Sequence, residues 1–377
     1  MKKLLLATAV SALTINAVQA APTVYGKLHV GVGNKETFVT KGGITNGDTT
    51  SSTAVDSFDS RFGVKGEEIL TDNLKAIYQI EWALSADGDG TITGGSTDLT
   101  QRNRYLGLKY EGIGSVKAGR LDTHLKTAQG KVDIFNDMYT DMKTILTGEN
   151  RINNVLSFES DPKALEGVGV NVMLIQAENN KLATNSEDSN KKRLGSAVSA
   201  SVVYDNKDMG VYAALAGDQN VPNTFTATGK NAETQAFRLV GVLDMETIAN
   251  VPGLTLGALF QTAKPDNLSP AATKTGGDFF GANDIDSEDS FLISGGYTIG
   301  ETPYTIKAQY GRSTTSFNTA GISDIEQQVL GGLVEYKLNS KTRAYGYVSQ
   351  LTSDKKLSNK SETPDRTFAG VGMEFNF

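Results

Sequence analysis

The chain has 377 residues with 40 Gly, 8 Pro, 38% hydrophobic residues and no Cys, so neither a disulfide framework nor thiolate chemistry is open to it. Its 43 acidic residues outnumber 36 basic ones, which argues against a phosphate backbone as partner and excludes nucleic acid from the expected ligands. After the first twenty residues no apolar run approaches the ~20 residues of a spanning helix, which excludes a helical membrane protein.

The N-terminus sets Lys2 and Lys3 before an apolar run from Leu4 to Val10 and closes on Val18-Gln19-Ala20. This predicts a cleaved secretory signal over residues 1–20 and a mature chain starting at Ala21. Removing Lys2 and Lys3 leaves 34 basic residues against 43 acidic ones, a net charge of −9. Gly-rich and polar stretches recur along the rest without concentrating in a linker, so residues 21–377 read as one domain.

Strict alternation comes next. From Val24 to Gly33, Lys27 and His29 share one face and Leu28 and Val30 the other; from Leu74 to Trp82, Lys75, Gln79 and Glu81 oppose an apolar face. Such a period of two belongs to strands with water on one side and hydrocarbon on the other. Short turns at Glu111-Gly112-Ile113-Gly114, Asn206-Lys207-Asp208, Gly300-Glu301-Thr302-Pro303 and Asn339-Ser340-Lys341 alternate with long polar stretches at 34–57, 86–99, 178–194, 218–233, 263–288, 314–325 and 352–364. Tight turns therefore lie at one end and long loops at the other. The pattern predicts an all-β fold: a transmembrane antiparallel barrel of about 16 strands. Tyr25, Trp82, Tyr110, Tyr310 and Tyr347 stand near strand ends and fit girdles at a lipid interface. The last strand alternates Val371, Met373, Phe375 and Phe377 against Gly372, Glu374 and Asn376.

Particular segments resemble the general porins of Gram-negative bacteria. Ser60 to Glu68 followed by Leu74 to Glu81, and Arg102 to Tyr110 followed by Gly114 to Arg120, look like early strands of that family in family order and spacing, and Val24-Tyr25-Gly26-Lys27 and the Phe-terminated last strand extend the resemblance across the mature chain. It implies a 16-stranded barrel with long outer loops, short periplasmic turns and a third loop folded into the lumen. It also implies outer-membrane lipid and lipopolysaccharide as surroundings, a homotrimer, and recognition of the Phe377 end by the barrel assembly machinery.

The resemblance assigns the lumenal loop to residues 122–150 and puts acidic residues on it opposite a basic wall. Tyr139-Thr140-Asp141-Met142 matches a family stretch, and Asp133 and Asp137 lie near. The family's Pro-Glu-Phe-Gly-Gly turn is missing, so the choice among Asp133, Asp137 and Asp141 is open. For the wall, Arg61, Arg102 and Arg151 match constriction arginines, and Lys27 a first-strand lysine. Alternation independently turns Arg61 away from Phe62 and Val64, and groups Arg151 with Asn153, Ser157 and Glu159 against Leu156 and Phe158. Arg102 shares parity with Leu106, Leu108 and Tyr110 and needs a bulge to face water. Arg120 has the same difficulty relative to Val116 and Ala118 and ranks below the others.

His29 and His124 are the only histidines, too few for a metal cluster or a Ser-His hydrolase. His29 is expected to line the lumen and His124 to open a loop. Acidic pairs such as Glu67-Glu68 read as turn charges, and the stretch Asp284 to Asp289 lacks the Gly and terminal Glu of a calcium loop. No enzyme, cofactor or metal is expected. The expected function is passive diffusion of small polar solutes and ions through a water-filled pore. A solute-selective channel and a surface barrel acting through its loops in adhesion or as a receptor are the alternatives.

Overall fold

The computed structural model describes residues 21–41, 44–88, 99–176, 193–266, 284–355 and 365–377, with side chains of residues 38–48 left aside. The expected signal segment, and all or part of the polar stretches at 34–57, 86–99, 178–194, 263–288 and 352–364, lie outside these residues. Among the described residues seventeen strands form one sheet: β1 (Thr23–Lys41), β2 (Ile44–Ser57), β3 (Arg61–Ile69), β4 (Leu74–Leu84), β5 (Leu99–Tyr110), β6 (Gly114–Asp122), β7 (Arg151–Ser160), β8 (Val168–Ile175), β9 (Ala197–Asn206), β10 (Val211–Phe225), β11 (Lys230–Asp244), β12 (Leu254–Asp266), β13 (Ile285–Thr298), β14 (Tyr304–Phe317), β15 (Ile325–Lys337), β16 (Thr342–Ser353) and β17 (Arg366–Asn376).

Apart from β2 and β3, each strand pairs antiparallel with its neighbour in sequence, and β1 pairs with β17 from Lys27↔Asn376 to Lys35↔Phe368, which closes the ring. Both β2 and β3 pair with β1, the former from Val30↔Ser57 outward and the latter from Thr23↔Lys65 to Lys27↔Arg61. They are one stave broken at residues 58–60, where Asp59 takes a positive φ of 48°. The barrel therefore has sixteen staves. Closure leaves no free strand edge, which is what allows so many exposed apolar residues without edge pairing.

The outer face carries the apolar half of the alternation: Leu106, Leu215, Phe237, Leu239, Ile293, Leu330, Val348 and Val371 are all exposed. Two of the aromatic residues expected at the lipid interface sit inside instead. Tyr25 donates its hydroxyl to Glu81 at 2.9 Å, and Tyr347 is buried beside Phe58. Trp82, stacked on Phe62, and Tyr110, exposed, keep outer positions. Phe377 is exposed on the outer face, and its backbone exchanges hydrogen bonds with Gly26 across the closing seam.

Short turns connect the staves at one end, the longest carrying helix α2 (Met245–Ala249), capped by Asp244. At the other end the polar stretch 218–233 is not a loop as composition suggested. It is the outward extension of β10 and β11, pairing from Val221↔Thr234 to Phe225↔Lys230 beyond a register shift. Polar residues there extend a hairpin because both of its faces meet water or the inward-folded loop rather than hydrocarbon.

Candidate functional site

The segment between β6 and β7 folds into the barrel. It starts with helix α1 (His124–Thr127), capped by Thr123, and includes a 3-10 turn at Met142–Thr144, capped by Asp141. Leu125, Val132, Phe135, Met142, Ile145 and Leu146 are each at most 1% exposed and pack on Val240, Leu259, Leu292, Val329, Leu333 and Tyr345 of the inner wall. Burial of each such side chain contributes about 1.5–3 kcal/mol gross, so the loop is seated by a hydrophobic core of its own.

Polar anchors fix its register on the wall. The buried Arg238 donates from Nη1 to the Leu125 carbonyl at 3.0 Å and pairs with Glu149 at 2.7 Å. Gln261 donates to the Thr147 carbonyl at 2.6 Å, and Glu288 accepts from the Thr147 amide and hydroxyl at 2.7 and 2.8 Å. Glu288 belongs to the polar stretch 263–288, read from sequence as a long loop; here it is a buried strand residue facing inward. His124 lies against Ser157 at 2.9 Å, and burial pushes its imidazole down to about 4, so it is neutral near pH 7.

The three loop aspartates have three different surroundings. Asp133 accepts from Gln309 at 3.0 Å and from the Met142 amide at 3.1 Å, and burial together with Asp141 pushes its carboxyl up. Asp141 accepts from the Lys143 amide at 2.7 Å and from the Asp137 amide at 2.7 Å, which ties the turn together. Asp137, in the left-handed region with φ 72°, projects to the opposite wall. There it pairs with Lys27 and, at 3.3 Å, with Arg61. Burial opposes its charge, but Lys27 and Arg61 outweigh that and hold the carboxyl down at about 2. Lys143 bridges Asp59 at 3.2 Å and Asp141 at 3.3 Å.

Bulges decide where the remaining wall arginines point. Ile80 pairs with Arg104 while Trp82 pairs with Gln101, so β5 carries one extra residue, and this brings Arg102 to the lumen side. Its Nε donates to Glu81 at 2.7 Å, within the field of Asp59 and Asp137. In β7 an extra residue falls between Ile152 and Val155, with Asn154 at φ 56°. That bulge interrupts the alternation drawn from Ser157 back to Arg151: Ile152 joins Val155 in a buried cluster with Leu121 and Met173. Arg151 is held by Asp122 at 3.0 Å and Asn103 at 2.7 Å. Arg120 donates to Asn153 at 2.7 Å and stands across from Arg104, whose guanidinium lies over Trp82. The structure thus brings Lys27, Arg61 and Arg102 to the loop, and gathers Arg120 and Arg151 elsewhere.

Sequence reasoning missed a charged row on the inner wall at the short-turn end. Arg343 bridges Glu374 at 2.8 Å and Glu335 at 2.7 Å, and Lys307 meets Glu335 at 2.8 Å. Their inward parity was readable, since Arg343 alternates with Ala344 and Glu374 with Met373; nothing in sequence brought the four strands together. His29 is fully buried behind this row and meets the Tyr345 hydroxyl at 2.6 Å.

One glycine sets how close the loop can lie. A Cβ at Gly331 would fall inside contact distance of the Phe135 ring. Gly331→Val is expected to unseat Phe135 at a cost of about 1–3 kcal/mol, changing single-channel current while leaving the strand signal in circular dichroism intact. Unchanged current would show that the loop does not rest on this contact.

A profile described as Gram-negative porin matches residues 5–356. The major outer membrane protein P.IB of Neisseria sicca is 28% identical over 263 residues, covering 66% of this chain and 70% of that protein. The P.IB protein of Neisseria lactamica is 36% identical over 134 residues, 35% of this chain and 37% of that one. Among solved structures, an anion-selective porin from Comamonas acidovorans superimposes with a TM-score of 0.64 at 19% identity, covering 94% of this chain and 99% of that one. Salmonella typhi OmpF in complex with daunomycin gives 0.62 at 15% identity, over 94% and 97%. A family match over nearly the full length, on a closed barrel narrowed by a charged loop, establishes that this chain belongs to the Gram-negative porin family and forms an outer-membrane channel for passive diffusion of small polar solutes and ions.

Proposed function

We propose that passage is controlled where Asp137 on the loop faces Lys27, Arg61 and Arg102 on the wall, and that the channel is a general diffusion pore. The reading rests on one observation: Asp137 alone of the three loop aspartates reaches across to the basic wall. Opposed fixed charges across a narrow aqueous gap make a transverse field. Polar solutes align with it, whereas apolar solutes of equal size must displace ordered water. Around this gap the cations Lys27, Arg61, Arg102 and Lys143 stand against the carboxylates of Asp59, Glu81, Asp137 and Asp141. The balance gives a weak ion preference.

Planar-bilayer recording of the refolded mature chain tests this. Stepwise openings with a reversal potential near zero under a salt gradient are expected. A folded barrel that stays electrically silent would defeat the diffusion reading, and saturable flux blocked by one solute class would replace it with a selective channel.

The same proposal carries residues 1–20 as a cleaved signal, residues 21–377 as the single mature domain, and Phe377 as the end presented to the barrel assembly machinery. It also takes lipopolysaccharide and lipid to surround the apolar outer face, in a homotrimer. A Vibrio cholerae outer membrane protein of similar fold, solved in a trimer form, supports that last element (TM-score 0.58, 18% identity). Cross-linking the detergent-solubilised protein is expected to trap three copies.

A further inference from the structure

The outer extension of β10 and β11 leaves the wall and crosses the mouth of the lumen. One extra residue in β10 between Asp218 and Val221, with Asn220 at φ 58°, sets the bend, and the hairpin then pairs from Val221↔Thr234 to Phe225↔Lys230. In the sheet, β12, β13 and β14 separate β11 from β15, yet the hairpin tip reaches β15. There the Thr226 hydroxyl donates to Gln327 Oε1 at 3.0 Å. Beside it Ala227 and Ile325 are buried together against Phe317, at the end of β14, and Ile322, in the connection that follows. A two-stranded extension alone in water is marginal; this one has a buried tip, with Ala227 2% exposed and Phe225 fully buried.

The return limb of the inward-folded loop, residues 147–150, runs between this hairpin and the wall. On the wall side Gln261, Glu288 and Arg238 hold it. On the hairpin side Asn150 donates from Nδ2 to the Pro222 carbonyl at 2.8 Å and to Asn223 Oδ1. Asn223 donates in turn to Thr234 across the hairpin, which leaves its carbonyl oxygen turned to Asn150. Phe225 joins the buried cluster that contains Ile145 and Leu146 of the loop.

We propose that the hairpin is a strap: it holds the return limb of the constriction loop against the wall, and the clasp between its tip and β15 keeps it closed. The inference rests on the reading of the loop as the point of control, and adds a second hold on it from the outer end of the barrel. Clasp, hairpin and loop limb are linked in series. Opening the clasp at Ala227 therefore loosens the limb at Asn150, although Ala227 lies outside the cluster that seats the loop.

Hydrogen exchange of the detergent-solubilised barrel, read by mass spectrometry over residues 143–150, tests the strap. Ala227→Asp puts a charge among Ile325, Phe317 and Ile322 and opens the clasp; Asn150→Ala removes the bonds to Pro222 and Asn223. Each is expected to quicken exchange over that segment about tenfold and to raise open-channel noise in bilayers, while the amides of β12 to β16 stay as protected as in the parent. Because both act through one strap, the double variant should gain no more than the larger single effect. Asn231→Asp places the same charge on the exposed flank of the hairpin, outside the clasp, and should match the parent. Ile325→Ala opens the same clasp without a charge and is read in the same way where Ala227→Asp fails to fold. Loop exchange at the parent rate once the clasp is opened, or effects of Ala227→Asp and Asn150→Ala that add in free energy, overturns the proposal. Conductance of the parent separates that failure from failure of the diffusion reading, because a silent parent barrel refutes the latter and leaves the exchange comparison to judge the strap alone.

Discussion

Asp137→Asn is expected to turn the channel toward anions. The substitution leaves Lys27 and Arg61 without the carboxylate they share. One elementary charge acting over ~8 Å at an effective dielectric of ~40 changes the energy of a passing ion by about 1 kcal/mol, about fivefold for each ion; because anion and cation shift in opposite senses, the anion-to-cation permeability ratio changes about thirtyfold. Arg61→Gln should move the reversal potential the opposite way. Asp133→Asn serves as the control: that carboxyl is spent on Gln309 and Met142, so the potential should hold. A shift from Asp133→Asn as large as that from Asp137→Asn would remove Asp137 from its assigned place. The pH dependence follows from the Asp137 carboxyl being held at about 2. Its folded value lies below the ordinary value of ~4. Its contribution to seating the loop is therefore present above about pH 4 and is lost as pH falls through about 2, and selectivity should be flat from neutral pH down to about pH 4.

Arg238→Met is expected to release the loop. Arg238 is fully buried, bonded to Glu149, Gln261 and the Leu125 carbonyl, and its removal strands the buried Glu149. Breaking a buried pair on one side costs about 3–5 kcal/mol, comparable to the burial of one or two of the loop's apolar side chains. The loop then gains the local mobility that cleavage after Lys126, Lys131 and Lys143 requires, so trypsin should cut there in the variant and spare the parent, and open-channel noise should rise. The double variant Arg238→Met/Glu149→Gln removes the stranded charge and should recover part of the protection. Burial pushes the Glu149 carboxyl up even with Arg238 beside it. The protonated form therefore favours the seated loop, and acidification should restore protection to Arg238→Met. Protection that stays complete in the single variant at neutral pH would mean that the apolar seat alone holds the loop.

Local chemistry along the chain determined the barrel. A period of two with one apolar face, turns alternating with long polar stretches, and a final strand running to Phe377 fix closed antiparallel staves, because side-chain alternation is a property of each strand by itself. Arg61 and Lys27 were placed by the same argument. Alternation failed at Arg151, where an extra residue in β7 reverses the faces, and a bulge depends on what the neighbouring strand and the loop require. It also misled about the inner wall of β11 to β16, where Val240, Leu259, Leu292 and Val329 face inward and are buried. At these positions the strands are apolar on both sides because hydrocarbon lies outside and the loop lies inside. The loop had its own signal in the apolar residues Leu125, Ala128, Val132, Phe135, Met138, Met142 and Ile145, spaced by three or four. That spacing resembles a helix, but only α1 forms, since Gly130, Asp137 and Gly148 take positive φ. Which aspartate meets the basic wall was decided by tertiary structure alone. Asp133, Asp137 and Asp141 are alike in sequence and four residues apart, and only the seat of Phe135 and the path of the chain across the lumen give them a buried anchor, a counter-charge and a turn cap respectively.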